Sequence, residues 1–146
     1  MDFLEHRFVL RILLTLLCIV QGVMTVAIDL NRTHATHPGW MRHARFHVVW
    51  QTLTMVLLAV VEVVLLWGGV VDRERGFYGA LVLAMLSPVA FLLAWMGRRR
   101  FDGALWDPGG TSPLRVTVLG GERVVEMNMV AVLVAVMAMV VMGVLY

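Results

Sequence analysis

The sequence predicts an all-α integral membrane protein built as a four-helix bundle. Hydrophobic residues make up 60% of the 146-residue chain and charged residues only 15%, whereas a soluble domain is about 45–50% apolar and about 25% charged. Mean hydropathy is +0.84, and four apolar stretches are each long enough to cross a bilayer. This composition argues against a soluble enzyme, a disordered tail and a nucleic-acid-binding module.

The apolar stretches divide the chain into spans and loops. The predicted spans cover about residues 8–28, 48–71, 77–96 and 127–146. We expect one transmembrane domain over residues 1–146, with polar loops at 29–47 and 97–126. The first span is longer than the apolar core of a secretory signal and follows Asp2 and Glu5, so we expect it to be retained.

The arginines predict how the spans are oriented. Four arginines lie near the N-terminus or in the Asp72–Arg75 turn, and eight lie in the two longer loops. The positive-inside rule therefore places the longer loops in the cytoplasm and both termini outside. The absence of lysine, with abundant Val, Ala, Gly and Leu, indicates a GC-rich bacterial genome and hence a bacterial inner membrane.

The last loop combines an arginine run with an alternating segment. Arg98–Arg100 follows the third span directly and is typical of an anchor at a membrane surface. Residues 115–119 alternate in polarity, which predicts a short strand or hairpin at that surface.

The segment between the first two spans contains the most groups capable of chemistry. Four of the five histidines, His34, His37, His43 and His47, fall within residues 34–47. Pro38 suits the first turn of a helix, so we expect a helix to begin near it and to continue into the second span.

One face of that helix is expected to be polar. At about 100° per residue, an arc of about 100° contains His43, His47, Gln51 and Glu62. A carboxylate that faces lipid costs about 2.5–3.5 kcal/mol, so this face should point into the bundle and line a buried polar pocket.

Glu62 is the leading candidate for a catalytic residue. An ionisable side chain inside a span indicates a functional site by default, and an apolar setting favours the neutral form of a carboxyl group. The alternative is structural, with Glu62 hydrogen-bonded to Gln21 or Ser87 on a neighbouring helix. Both interpretations remain open on the sequence.

The histidines have three interpretations. His43 and His47 lie one helical turn apart and could share a metal ion. A third metal ligand could come from His34, His37 or Asp29. The histidines could instead contact a ligand or relay protons towards the buried carboxyl group, or only hydrogen-bond lipid headgroups. The other spans contain no histidine, which disfavours a haem held between helices, and no cofactor is expected.

Two acidic residues extend the predicted ligand-binding cluster. Asp29 closes the first span and Glu126 precedes the fourth, both on the histidine side of the bundle. We therefore group them with His43, His47 and Gln51, next to Glu62 deeper in the span. The alternative is that Asp29 and Glu126 are polar only because helix ends ordinarily carry polar residues.

Residues 29–47 also carry a recognisable pattern, which reads Asp29-x-Asn31-x-Thr33-His34, Pro38-x-Trp40 and His43-Ala-Arg45-Phe46-His47. It resembles the signature of an uncharacterised family of small four-span membrane proteins from bacteria and fungi. That resemblance implies a four-span fold and no particular activity. By architecture alone, the chain also resembles the emopamil-binding and sigma-2 receptor superfamily. Its members are helical bundles with acidic residues facing a cavity for sterols or amphiphilic amines.

These observations predict a membrane protein that binds an apolar or amphiphilic small molecule entering from the bilayer. Glu62 would be its ionisable centre, with His43 and His47 at the mouth of the pocket. The alternatives are an accessory subunit of a larger membrane complex, a membrane-embedded isomerase and a proton-coupled exporter of small molecules. Membrane lipids are the expected partners, a homo-oligomer or larger complex is possible, and nucleic acid is not expected.

Overall fold

The protein is described here by a computed structural model that covers residues 3–106, 113–118 and 121–146. Within these ranges the elements are α1 (Phe3–Asp29), α2 (Arg42–Trp67), α3 (Arg73–Gly97), a 3-10 helix (Arg98–Arg100), β1 (Leu114–Val118), β2 (Gly121–Val125) and α4 (Met127–Leu145). By length and composition, each of these four α-helices could cross a membrane. The predicted mostly helical architecture is therefore confirmed, with a small hairpin added to it.

The bounds of α2 differ from those predicted. The helix begins at Arg42, six residues before the predicted span, and ends at Trp67, four residues before its predicted end. Pro38 lies in a turn outside the helix, so the expected helix start near it is wrong. The reason is that the Arg45 guanidinium donates hydrogen bonds to the carbonyl oxygens of Pro38 and Trp40, which holds this stretch as a loop.

Glycines let the first three helices approach closely. A Cβ atom at Gly22 of α1 would lie only 3.1 Å from the Cβ of Ala59 on α2. A Cβ at Gly76 of α3 would collide with the main-chain oxygen of Leu65 on α2. Small residues at helix contacts allow backbones to approach closely, so both positions fix the antiparallel packing of neighbouring helices.

Pro88 interrupts the hydrogen bonding of α3, and α1 compensates for it. Proline has no N–H, so the carbonyl oxygen four residues earlier, on Ala84, loses its helical partner. The side-chain amide of Gln21 donates a hydrogen bond to that oxygen at 3.3 Å. Gln21, which interrupts the apolar face of α1, thus provides the hydrogen bond that the Ala84 carbonyl oxygen of α3 lacks.

The best-packed part of the core lies at the end of the bundle that holds both chain ends. Phe77 of α3 stacks face to face on Tyr146, with ring centroids 3.7 Å apart. The Tyr146 hydroxyl donates to the carbonyl oxygen of Arg73 at 3.2 Å, and Arg7 of α1 pairs with Glu74 of α3 at 3.6 Å. The N-terminal end of α1, the α2–α3 turn and the end of α4 therefore meet, as predicted.

Helix α4 buries few of its side chains. Its buried residues are Met139 and Met142, both near its C-terminal end. Val130 and Val134 in its first half are exposed, and so are Met137 and Val144 in its second half. Exposed apolar surface therefore runs along the whole of α4.

The last loop contains the hairpin. Strands β1 and β2 are antiparallel, with Leu114 opposite Val125 and Val116 opposite Arg123. Arg115 and Glu122 form an exposed ion pair at 3.3 Å across the strands. The alternating segment therefore forms a hairpin, as expected, although the predicted all-α class did not include it.

Candidate functional site

The α1–α2 loop is held by its own side chains. The Asn31 side-chain oxygen accepts hydrogen bonds from both the N–H and the hydroxyl of Thr33, at 2.7 and 2.6 Å. The Thr33 hydroxyl also lies 2.8 Å from Nδ1 of His34. These bonds replace the helical ones that end with α1, so Asn31, Thr33 and His34 have a structural role in shaping the loop.

An aromatic contact and an arginine complete this loop. The rings of His34 and His37 lie against Trp40, with centroids 5.5 and 6.2 Å away. Arg45 donates to the carbonyl oxygens of Trp40 at 3.1 Å and Pro38 at 3.2 Å. Much of the recognisable pattern in residues 29–47 is therefore explained by loop structure, which leaves Asp29, His43 and His47 to be explained otherwise.

His43 and His47 form an exposed pair on the first turns of α2. Their Nε2 atoms lie 2.9 Å apart, and their rings are nearly perpendicular with centroids 4.4 Å apart. A hydrogen bond between the two rings requires one Nε2 to donate and the other to accept. Trp50 flanks the pair, with its ring centroid 5.7 Å from that of His47.

Asp29 lies at the end of α1, beside α2. Its carboxylate is half-buried and lies close to the Thr52 side chain and within electrostatic range of His34. Thr52 itself is fully buried and donates to the carbonyl oxygen of Val48 at 2.9 Å. This pair is the polar contact between α1 and α2 nearest to the loop.

A concave site lies on the outer side of the same helix pair. We call it the α1–α2 groove; its volume is about 440 Å³, and it is lined by Ile19, Gly22, Val23, Val26, Val56, Ala59, Val60, Val63 and Val64. Every lining residue is aliphatic or glycine. The short side chains at Gly22 and Ala59 form its floor, because they bring the backbones together without filling the space above them.

Glu62 is buried behind the groove wall. It is only 3% exposed, and its carboxyl group lies against the Cys18 thiol, its side-chain hydrogen-bond partner. Cys18 is fully buried as well. The predicted inward orientation of Glu62 is confirmed, but its partner is on α1 and is neither Gln21 nor Ser87.

The other members of the predicted polar face do not join Glu62. Gln51, His43 and His47 are exposed. Along the axis of α2, His47 and Glu62 are separated by about 22 Å, at about 1.5 Å per residue. Glu126, before α4, is half-buried. The structure therefore separates the predicted cluster into an inner carboxyl group and an outer group of loop-side residues.

The described residues contain no group of three or more His, Cys, Asp or Glu side chains placed to hold a metal ion. The arrangement considered for His43 and His47 with His34, His37 or Asp29 is therefore not preformed among these residues. His34 and His37 face Trp40, whereas His43 and His47 face each other.

A cluster centred on Arg11 was not predicted. Arg11 is 9% exposed, although it lies within an apolar helix. Its guanidinium lies 4.1 Å above the Trp67 ring and donates to the carbonyl oxygen of Leu66. The Trp67 indole N–H donates to the Thr15 hydroxyl at 2.8 Å. The sequence did offer a signal for this cluster: Arg11 lies inside a span, where a charged group needs a partner, and Trp67 lies at the end of the next helix.

Comparisons with known protein families, curated proteins and solved structures find no match to this chain.

Proposed function

We propose that this chain is a multi-pass membrane protein that binds one amphiphilic molecule. The apolar tail would lie in the α1–α2 groove, and the polar head would lie at Asp29. The groove carries the proposal: it is an apolar cavity of about 440 Å³, and Asp29 follows its lining residue Val26 by three positions on α1.

The exterior of the helices supports a membrane location. Large apolar side chains are exposed on several helices, including Leu57 at 65%, Val82 at 62% and Val134 at 63%. Apolar surface on this scale is unfavourable in water and is matched by lipid chains. Hydroxyls inside the helices bond to their own backbone, as Thr15 and Thr25 do to the carbonyls four residues earlier, which suits a medium without water.

The groove suits an alkyl or polycyclic tail. Its volume of about 440 Å³ lies within the range of about 300–1,000 Å³ found for small-molecule sites. Val23 and Val60 are 59% and 55% exposed, so the groove opens sideways and a ligand can enter from the bilayer. A tail that enters from the bilayer exchanges one apolar medium for another, so its affinity comes from packing against the groove, and the polar head adds the selectivity.

The polar head is assigned to the end of the groove nearest the loop. Asp29 lies three residues beyond the lining residue Val26, or about 4.5 Å along the helix. Thr52 lies one turn before Val56, on the facing helix. A carboxylate beside a hydroxyl favours a head that donates hydrogen bonds or carries positive charge, such as an amine or an alcohol.

Other activities lack an observation that favours them. The isomerase and the exporter were both built on Glu62 as the ionisable group at the ligand, and Glu62 is absent from the groove lining. We therefore assign Glu62 to the contact between α1 and α2, through Cys18.

The test uses photoreactive ligands with a C16 chain that carries a diazirine and ends in an amine, an alcohol or a carboxylate. The protein would be reconstituted in lipid nanodiscs, and crosslinks would be mapped by mass spectrometry. We expect crosslinks in the segments lining the groove, with the amine and the alcohol captured more strongly than the carboxylate.

Filling the groove should abolish this capture. Val23→Phe and Val60→Phe add bulk where the side chains are exposed, so folding should be retained. Val82→Phe, on α3, is the matched control, because Val82 is 62% exposed and lies outside the groove. Equal capture by all three variants would reject the proposal and leave an accessory subunit as the better interpretation.

Asp29 and Glu62 provide a second contrast. Asp29→Asn should reduce the preference for the amine over the alcohol. Glu62→Gln should leave capture unchanged, since the group does not reach the groove. A loss of capture in Glu62→Gln, with the melting temperature preserved, would instead place the site in the bundle interior.

A further inference from the structure

The exposed pair of histidines at the start of α2 has a geometry that two surface side chains do not require. His43 and His47 could each direct their ring nitrogens into solvent, yet their Nε2 atoms converge to 2.9 Å. Neither contributes to the bonds that shape the α1–α2 loop. Once the proton between them is displaced, both Nε2 lone pairs are close enough to serve one external ion.

The spacing of the two nitrogens discriminates between metal geometries. With metal–nitrogen bonds of about 2.0–2.1 Å, an Nε2–Nε2 separation of 2.9 Å corresponds to an N–metal–N angle of about 90°. A tetrahedral angle would require a separation of about 3.3–3.4 Å at the same bond lengths. The hydrogen bond sets this separation, and when a metal replaces the bond the two nitrogens can fill neighbouring positions of a square-planar or octahedral ion, the geometries that Cu²⁺ and Ni²⁺ adopt with nitrogen ligands.

We propose that His43 and His47 together bind one Cu²⁺ or Ni²⁺ ion through their Nε2 atoms, with water in the remaining positions. On binding, the hydrogen bond between the rings is replaced by two metal–nitrogen bonds. The ring that held its proton on Nε2 transfers it through solvent to Nδ1, so both neutral rings present a lone pair to the metal and no net proton is released. The site is independent of the α1–α2 groove.

Trp50 supplies an optical readout, because its ring lies 5.7 Å from that of His47 and Cu²⁺ quenches nearby indole fluorescence. We would titrate CuCl₂, NiCl₂ and ZnCl₂ into the detergent-solubilised protein without a polyhistidine tag. The expected results are one Cu²⁺ per chain, an electron paramagnetic resonance spectrum with two equivalent imidazole nitrogens, and weaker binding of Zn²⁺ than of Cu²⁺. Most of the quenching should disappear in Trp50→Phe.

Variants test whether the pair itself is the site. His43→Ala and His47→Ala should each weaken Cu²⁺ binding more than about tenfold. Once one imidazole has bound the ion, the other binds it at a high effective concentration, and either change removes that advantage. His34→Ala and His37→Ala are matched controls from the adjacent loop and should bind as the parent does. All four changes alter partly or fully exposed side chains, and the melting temperature would confirm folding.

A rescue variant tests the proposal through a gain of Cu²⁺ binding as well as through its loss. Gln51 is exposed on the same face one turn beyond His47. The double variant His43→Ala with Gln51→His therefore rebuilds the same spacing one turn along the helix and should restore Cu²⁺ binding. Undiminished binding in His43→Ala or His47→Ala, or equal loss in His34→Ala and His37→Ala, would overturn the proposal.

Discussion

At the scale of single residues, the main question is how polar side chains persist within apolar helices. Arg11, Gln21 and Glu62 each interrupt an apolar stretch, and each has found a partner on another helix: a carbonyl oxygen of α2, a carbonyl oxygen of α3 and a thiol of α1. Without such partners, burial of these groups would cost several kcal/mol. The polar residues therefore determine which helices must be neighbours.

Arg11 provides a prediction at this scale. Lysine keeps the charge but lacks the planar guanidinium that stacks on Trp67 while bonding to the carbonyl of Leu66. We expect Arg11→Lys to lower the free energy of unfolding by about 1–2 kcal/mol, measured as thermal unfolding in detergent. Arg75→Lys is the control: its side chain is 84% exposed, so its effect should be near zero. Equal effects of the two changes would contradict the assigned role of Arg11.

At the scale of elements, the bundle depends on exchanges between helices that no single helix contains. Pro88 removes one hydrogen bond from α3, and Gln21 on α1 supplies a replacement to Ala84. Gly22 and Gly76 remove side chains where backbones cross. Each helix is therefore shaped by the neighbour against which it packs.

A double-mutant cycle tests the first of these exchanges. Gln21→Leu leaves the Ala84 carbonyl oxygen without a partner and should cost about 1–3 kcal/mol of the free energy of unfolding. In Pro88→Ala the backbone N–H of residue 88 is restored and can bond to that oxygen itself. Gln21→Leu should then cost less, with an interaction energy of about 0.5–2 kcal/mol. Additive effects of the two changes would show that the amide and the proline are not coupled.

At the scale of the whole molecule, the fold has two dissimilar ends. The end with both chain ends is closed by stacked aromatics and by contacts of Arg7 and Arg11. The opposite end has the ordered α1–α2 loop, the exposed histidine pair and the hairpin. The aromatic and arginine contacts are therefore grouped at one end, while the α1–α2 groove, Asp29 and the histidine pair lie between the middle of the bundle and the other end.

The arrangement predicts which segments share a side of the membrane. We expect Arg75→Cys to react with a membrane-impermeant maleimide added to intact cells, and Thr36→Cys to react only after permeabilisation. Cys18 is fully buried and can remain in place as the unlabelled background. Labelling of both positions from one side would contradict the helix arrangement, whereas exchanged accessibility would reverse only the orientation predicted from the arginines.

The sequence alone determined the number and kind of the helices, because a span needs about 20 apolar residues and that requirement is local. It also indicated that Glu62 faces inward, because a carboxylate in the middle of a span is costly to expose to lipid whichever helices surround it. The hairpin followed in part from alternation in residues 115–119. The start of α2 was misplaced, because the Arg45 side chain holds Pro38 in a loop, and helix propensities do not include such a contact.

Only the tertiary structure decided which polar residues meet. Periodicity placed His47 and Glu62 on one face, but the structure leaves His47 exposed and buries Glu62 against Cys18. The partner of Glu62, the use of Gln21 by α3 and the groove above Gly22 all depend on the relative register of two helices. That register results from packing across helix surfaces, where residues distant in sequence come into contact, and it leaves no periodic signal within either helix.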